Sequence, residues 1–443
     1  MGADTLLAEP ADCGERPIEP QPGSLPVARQ AASPPEPTPP LCGSPRSLPC
    51  IPSRKAAVAA MWDLIRGSLS CAYQPPSRMT ETPDDYSFMT LALRLAERGL
   101  CTTMPNPRVG CVLVKHGKII GEGWHERAGE PHAEVLALRQ AGENARGAEV
   151  YATLEPCSHH GRTPPCAEAL IAAGVKRVVA AMQDPNPKVA GSGLAMLKAQ
   201  GIEVVSGLME TQARELNPGF ISRMTRNRPL LRSKIAASLD GRTALANGVS
   251  QWISGEAARQ DVQHWRARCC AIMTGVCTVL ADDPQMTLRA FDIGRQPLRV
   301  VVDSRLRISP QAMILQGGNA LVAYAIDPHN KLTQLQATGA EVVMLPDNDG
   351  RVCLQSLMQE LARREINEVM VEAGSGLNGV LLQHGLIDEL LLYYAPILMG
   401  SEAKGMFAMP ALTEMSQRSE LEIFDLRQVG KDIRMRARIK GSA

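Results

Sequence analysis

The sequence predicts two α/β domains in tandem behind a Pro-rich N-terminal extension. Three observations lead there. Between residues 84 and 206, short β-type runs alternate with helical apolar periodicity, the mark of an α/β unit with a partly parallel sheet. The alternation pauses around residues 217–227 and resumes at Leu230 for roughly two hundred residues, a common domain size. Residues 1–83 show neither period, and nearly half of the 33 prolines fall before residue 79. The expected division is 1–83, 84–226 and 227–443.

Each element has a local reason. A stretch such as PPEPTPP at 34–40 cannot bury enough apolar surface to offset its ordering entropy, so the extension is expected to be disordered, with at most a short helix over 61–72. Asp84 or Asp85 caps a first helix that carries Met89, Leu93 and Ala96 on its apolar face and ends near Gly99. Strands at 109–114 and 118–124 flank His116-Gly117 as a hairpin. Pro131 suits a first turn, so a helix starts there and runs to Gly142. A strand at 149–154 leads into a Cys-bearing loop, and a helix follows Pro165. A strand at 176–181, a helix at 193–200 and a strand at 203–206 complete the first domain. The second domain is expected to hold strands at 230–236, 268–274, 298–303, 320–325, 341–345, 368–372 and 389–395. Its helices fall near 255–267, 353–365 and 379–384.

Composition removes several classes of function. A net charge of +1 and only 3% aromatic residues argue against a basic groove or base-stacking platform, so no nucleic-acid partner is expected. No uninterrupted apolar run approaches 18 residues and no secretory signal is apparent, so no membrane partner is expected and the cytoplasm is the expected compartment. The 12 cysteines are scattered, and the adjacent Cys269 and Cys270 cannot readily bridge, which fits a reducing compartment.

The chemistry-bearing stretch runs from Pro131 to Cys166. It opens with Pro131-His132-Ala133-Glu134 and closes with Glu155-Pro156-Cys157, a His-rich loop and Cys166. One His and two Cys can bind zinc and leave a fourth position for water, as catalytic rather than closed structural zinc does. Glu134 can move the proton that the metal makes labile. Cys166, at a helix start, gains thiolate character from the N–H groups there. On a regular helix His132 and Glu134 diverge; both face one site only if His132 sits before the regular turns. H-x-E followed by P-C is the signature of zinc nucleobase deaminases, but eight residues separate Cys157 from Cys166 where that signature has two. A closed four-ligand zinc using His159 or His160 also stays open, and would leave Glu134 without a task.

PHAEV followed by EPCSHHGRTPPC, with Pro105-Asn106-Pro107-Arg108-Val109-Gly110 and Met182-Gln183-Asp184-Pro185-Asn186-Pro187 around them, resembles the bifunctional deaminase-reductases of riboflavin biosynthesis. The likeness covers about residues 84–443. It implies a cytidine-deaminase-like α/β/α domain in which His132, Cys157 and Cys166 hold Zn2+ and Glu134 shuttles protons. It implies substrate contacts at Asn106, His125 and Arg162, the last at the substrate phosphate. Read from the residues alone, Asn106 is also a plausible turn residue between two prolines, and His125 and Arg162 are also plausible solvated loop positions.

The second domain carries Lys234–Arg242, Ser250–Ser254, Thr274–Pro284, Val301–Ser304 and a Gly-rich strand-to-helix turn from Val371 to Gly379, in that order. Such a turn exposes N–H groups to a phosphate but does not carry the spaced G-x-G-x-x-G fingerprint. The order resembles the reductase half of the same family, a dihydrofolate-reductase-like α/β fold. The resemblance implies NADPH contacts at Ala236, Trp252, Thr278, Asp282, Ser304 and the loop Gly374, Ser375, Gly376, Leu377, Asn378, Gly379 and Val380. It implies substrate contacts at Ser250, Arg266, Met286, Arg289 and Glu372, with Lys234 near the reacting sugar. Arg266 and Arg289 suit a phosphate because guanidinium offers a planar donor fork, and surface ion pairs are the other reading. Asp282 and Glu372 suit ribose hydroxyls.

The resemblance therefore implies two successive reactions. The first is zinc-dependent hydrolytic deamination of a phosphorylated diamino-ribosylamino-pyrimidinone. The second is NADPH-dependent reduction of the ribosyl side chain to ribityl, giving an amino-(phosphoribitylamino)uracil. The expected partner is that phosphorylated ribosylaminopyrimidine, and the chain is expected to be a homo-oligomer. A nucleic-acid base deaminase and a non-catalytic zinc protein with a nucleotide-sensing domain are the competing readings.

Overall fold

The computed structural model describes residues 84–159, 164–187 and 189–440. The Pro-rich extension, the helix expected over 61–72, His160 and Arg162 lie outside them. Helix α1 (Asp85–Glu97) starts where expected: the Asp84 carboxylate accepts the Ser87 N–H at 2.9 Å. Its buried face comprises Phe88, Met89, Ala92, Leu93, Leu95 and Ala96, the 3.6-residue stripe of a core-facing helix. Strands β1 (Gly110–Lys115) and β2 (Lys118–Trp124) form an antiparallel hairpin. Its turn residues His116 and Gly117 have φ of 52° and 70°, the left-handed pair that a two-residue hairpin turn requires.

Then come α2 (Ala133–Ala141), β3 (Glu149–Ala152), α3 (Cys166–Ala173), β4 (Arg177–Ala180), α4 (Ser192–Ala199) and β5 (Glu203–Ser206). The first sheet has the order β2-β1-β3-β4-β5, parallel from β3 to β5 and antiparallel at β1. Met89, Leu113, Val150, Leu170, Val178 and Leu197 lie in one apolar cluster between its layers. Fully burying each such side chain contributes about 1.5–3 kcal/mol.

Helix α5 (Glu210–Leu216) follows β5, and where the sequence suggests a pause at 217–227 the structure has a further helix, α6 (Pro218–Arg226). The first is short, and Pro218 occupies the first turn of the second. The second half continues with β6 (Leu230–Ser238), β7 (Arg242–Ala244), α7 (Glu256–Arg268), β8 (Ala271–Gly275), α8 (Val276–Asp282), β9 (Leu298–Val302) and β10 (Ala320–Tyr324). After these come α9 (Leu332–Gln336), β11 (Glu341–Met344), α10 (Leu354–Arg363), β12 (Glu368–Val371), α11 (Ser375–Gln383) and β13 (Glu389–Ala395). The chain ends with β14 (Lys404–Gly405), β15 (Leu421–Val429) and β16 (Asp432–Ile439).

The large sheet has the order β11-β10-β9-β8-β12-β6-β13-β16-β15. It is parallel from β11 through β13, and β16 and β15 add an antiparallel edge. The final hairpin was not expected from the sequence, although β16 alternates apolar residues with arginines; Asp432 and Arg434 are buried and Ile433 is exposed, the reverse of the usual facing. Arg434 and Arg436 are paired inside the fold with Asp261, Asp425 and Glu389. Helix α8 has only seven residues, too few to show a period, and α11 begins at Ser375, four residues before the expected start.

The strand order reverses at β8-β12-β6: the chain moves outward from β8 to β11, and β12 returns between β8 and β6. Ligands of open parallel sheets bind outside the carboxyl ends of strands at such a reversal. The described residues cluster as one unit. Arg108, just before β1, is buried and lies 2.8 Å from Glu368 at the start of β12.

Candidate active sites

The first site is set by how closely α2 approaches β2. A Cβ on Gly121 or Gly123 would lie 2.2 Å from the carbonyl oxygen of Ala137 or Ala133, so only glycine lets the two backbones touch. His132 is the N-cap of α2, with extended φ −72° and ψ 163°. It thus sits before the regular turns, as the pairing of His132 with Glu134 requires. Beyond β3 the chain turns into the Cys157 loop, and the Ala167 N–H donates to the Cys157 carbonyl at 3.1 Å, bringing the start of α3 alongside.

The result is a three-donor cluster. His132 Nδ1 lies 3.3 Å from Cys166 Sγ and 3.6 Å from Cys157 Sγ, and all three ligand atoms lie within 4.8 Å of one another. Zn–N near 2.0–2.1 Å and Zn–S near 2.3 Å in a tetrahedron put N and S about 3.6 Å apart, so this donor set fits zinc with one position open. The hydrogen bond from the Cys166 thiol pulls the Cys157 thiol down to about 4, against burial, with His132 adding to the pull. That same bond, together with burial, pushes Cys166 up.

Glu134 is 3% exposed, burial raises its pKa, and its Oε2 has no hydrogen-bond partner. A buried, unpaired carboxylate oxygen is costly unless something enters to meet it. Asn106 and His125 join this cluster. The edge of one imidazole meets the face of the other, with His125 and His132 ring centroids 5.3 Å apart. His125 Nδ1 lies 3.2 Å from the Pro131 carbonyl, so it carries the proton and donates. Its Nε2 then accepts from Asn106 Nδ2 at 3.1 Å. Burial lowers the His125 pKa, which favours this neutral tautomer.

Sequence reasoning passed over Glu155. Its buried carboxylate accepts the N–H groups of Gly193 at 2.8 Å, Gly191 at 2.9 Å and Asp184 at 3.1 Å, tying the Cys157 loop to the start of α4. A glutamate directly before Pro156-Cys157 was the available signal.

The second site lies at the strand reversal. Glu372, just past β12, receives Arg266 Nε at 2.7 Å and Nη2 at 3.1 Å, with Lys234 Nζ at 3.8 Å. The Arg266 fork, read as a phosphate ligand, is engaged by this carboxylate and by the Thr287 carbonyl at 2.9 Å. Burial raises the Glu372 pKa, but Arg266 and Lys234 outweigh it and hold it at about 2. Burial lowers the pKa of Lys234.

Gly374 caps α11, and a Cβ there would stand 4.0 Å from Thr278 Oγ1, so the first turn of α8 faces the turn after β12. Within the predicted cofactor loop the residues divide. A Cβ on Gly376 would face open space, whereas one on Gly379 would lie 2.0 Å from the Ala408 carbonyl. Asn378 is buried, accepting from Ser233 at 2.8 Å and donating to the Ala373 carbonyl at 2.9 Å. Asn378 and Gly379 therefore brace the helix inward. Ser304 Oγ accepts the Val352 N–H at 3.1 Å. Met286 is buried in the core, and Arg289 is exposed, its N–H donating to Gln263 of α7. Trp252 is 72% exposed beneath Arg259, whose guanidinium carbon is 4.7 Å from the ring centroid. Ala236 lies on β6 opposite Tyr393, Asp282 ends α8 and Ser250 is half-buried.

Residues 82–182 match the family described as cytidine and deoxycytidylate deaminase zinc-binding region, and residues 229–435 match the RibD C-terminal domain. The chain is 49% identical to the riboflavin biosynthesis protein RibD of Escherichia coli K12, over 79% of this chain and 98% of the relative. Acinetobacter baumannii RibD superposes with a TM-score of 0.75 at 47% identity, over 80% of this chain and 99% of that one. A Thermotoga maritima structure described as a diaminohydroxyphosphoribosylaminopyrimidine deaminase and phosphoribosylaminouracil reductase gives 0.71 at 32% identity, over 80% and 98%. A zinc-binding deaminase region and a reductase region imply zinc and a nicotinamide cofactor. Among the described residues, no helix is long and apolar enough to cross a membrane. The chain belongs to the RibD family of bifunctional riboflavin-biosynthesis enzymes, deaminase and reductase in one polypeptide.

Proposed function

We propose that His132, Cys157 and Cys166 hold one zinc ion, that Glu134 shuttles protons in hydrolytic deamination, and that the pocket at Lys234, Arg266 and Glu372 reduces the product with NADPH. The carrying observation is Glu134: an unpartnered, buried carboxylate oxygen beside three metal donors. Zinc bound there would lower the pKa of a water to about 7, supplying hydroxide at neutral pH. Glu134, its pKa raised by burial, is suited to accept that proton and pass it to the amino group that leaves as ammonia. With His125 accepting from Asn106 Nδ2, the Asn106 carbonyl oxygen is available to a ring or amino N–H of the pyrimidine. Arg162, outside the described residues, is assigned to the substrate phosphate.

The nicotinamide supplies the hydride, and the protein supplies position and charge. Glu372, held anionic by Arg266 and Lys234, is suited to accept from the ribose hydroxyls. Ser250, Met286 and Arg289 complete the substrate side, and Ala236, Trp252, Thr278, Asp282, Ser304 and the turn at Gly374 the cofactor side, with α11 N–H groups toward phosphate. The substrate is the phosphorylated diamino-ribosylamino-pyrimidinone and the product its deaminated ribityl counterpart. The sheet of residues 110–206 and that of 230–439 support a division at 226/227. Exposed Leu421, Ile423 and Leu426 on the edge strand β15 support a homo-oligomer, and the free thiols among the described residues support the cytoplasm.

The test is metal removal. Purified protein should carry one zinc per chain; chelation should abolish ammonia release and spare NADPH oxidation on the deaminated intermediate, and added zinc should restore the first. Ammonia release at the full rate from zinc-free protein would refute the reading.

A further inference from the structure

We infer that Asn367, a residue of the reductase half, positions the deaminase site; this rests on the proposal that Asn106 meets the pyrimidine. Asn367 is 2% exposed and immediately precedes β12. Its Nδ2 donates to the Pro105 carbonyl at 2.8 Å, and its Oδ1 accepts from Arg223 Nε at 2.6 Å. Arg223 Nη2 reaches the same Pro105 carbonyl at 3.4 Å.

The Pro105 carbonyl and the Asn106 N–H belong to one peptide unit. That N–H donates to the Thr103 carbonyl at 2.9 Å. Both polar groups of the unit are therefore pinned, one from each half of the chain, and the Asn106 side chain leaves from a fixed plane toward His125 Nε2 at 3.1 Å. The anchor is rigid in turn. The Asn367 carbonyl accepts the Leu230 N–H at 2.9 Å, and its N–H lies 3.3 Å from Cys270 Sγ, so its backbone is tied toward both β6 and β8. A second clamp lies beside it: Arg108 pairs with Glu368 at 2.8 Å and donates to the Leu216 carbonyl at 2.6 Å. The loop that presents Asn106 is thus shaped by the central strands of the other sheet.

Asn367→Asp keeps the shape and the acceptor for Arg223, and turns the group facing Pro105 from donor to acceptor. Deamination KM should rise about fivefold to tenfold, the size of one lost amide hydrogen bond, with kcat within about twofold. Zinc content and NADPH oxidation on the deaminated intermediate should match the unaltered protein. Asn106→Ala, measured alongside, should also raise KM. If only Asn106→Ala moves KM, the inference fails and the site reading stands; if neither moves it, both fail. Lost zinc, or equal falls in both activities, would mark Asn367 as merely structural and overturn the inference. Should Asn367→Asp not fold, Arg223→Ala decides: it should raise KM about twofold to fivefold, and an unchanged KM overturns the inference.

Discussion

Cys157→Ser replaces one donor of the metal cluster with a group of similar size that stays protonated near neutral pH. Zinc content after dialysis should fall well below one per chain and ammonia release should fall with it, while reduction of the deaminated intermediate continues. Glu372→Gln leaves Arg266 and Lys234 facing a neutral amide in a buried site. Breaking a buried pair this way costs about 3–5 kcal/mol. Reductase kcat/KM should fall at least tenfold and the reductase half should melt earlier, read by steady-state kinetics and calorimetry. His132 and Glu134 were readable in the sequence because their two-residue offset makes sense only at a helix start, where the structure has them. The pairing of Arg266 with Glu372 was not readable because its partner lies 106 positions away, and nothing in the sequence shows which carboxylate reaches a guanidinium. Asn378 and Gly379 sit in a turn that invites a phosphate, yet their surroundings, Ser233 and Ala408, are distant in sequence.

At the scale of elements, Gly123→Ala would set a methyl group 2.2 Å from the Ala133 carbonyl. Backbone cannot give way there as a flexible side chain can, so α2 must shift and carry His132 with it. The expected loss is about 1–3 kcal/mol of stability with weakened zinc retention, measured by urea denaturation and by metal content. Most elements were readable: β1, β2 and β13 are apolar or flanked by turn residues, and Asp84 is a plain cap. The exceptions share one cause. In strand β16 the apolar residues alternate with arginines but Arg434 is buried and Ile433 exposed, and α6 likewise carries arginines whose partners belong to other elements, so the face each buries was not readable from the sequence. Short helices such as α8 give too few residues for a period to be counted.

The whole molecule holds a buried charge network. Arg232 is fully buried between Glu368 and Glu389, and the guanidinium carbons of Arg232, Arg268, Arg434 and Arg436 lie 4.8, 5.5, 5.7 and 4.9 Å from the Trp265 ring centroid. Burial raises the Glu389 pKa, but Arg232 and Arg436 outweigh it and hold it at about 2. A carboxylate depressed on folding stabilises the fold above its unfolded value of about 4.3, and that contribution fades as pH falls toward 2. Denaturation midpoints should therefore decline steeply between about pH 4 and 2, and Glu389→Gln should flatten that decline. The central claim, two chemistries in sequence on one chain, is tested most directly by Glu134→Gln given the diaminopyrimidine, with ammonia and NADPH followed together. The account predicts that ammonia release falls at least about a hundredfold, that NADPH oxidation from this substrate falls with it, and that oxidation returns when the deaminated intermediate is supplied. Ammonia release at the unaltered rate would contradict it.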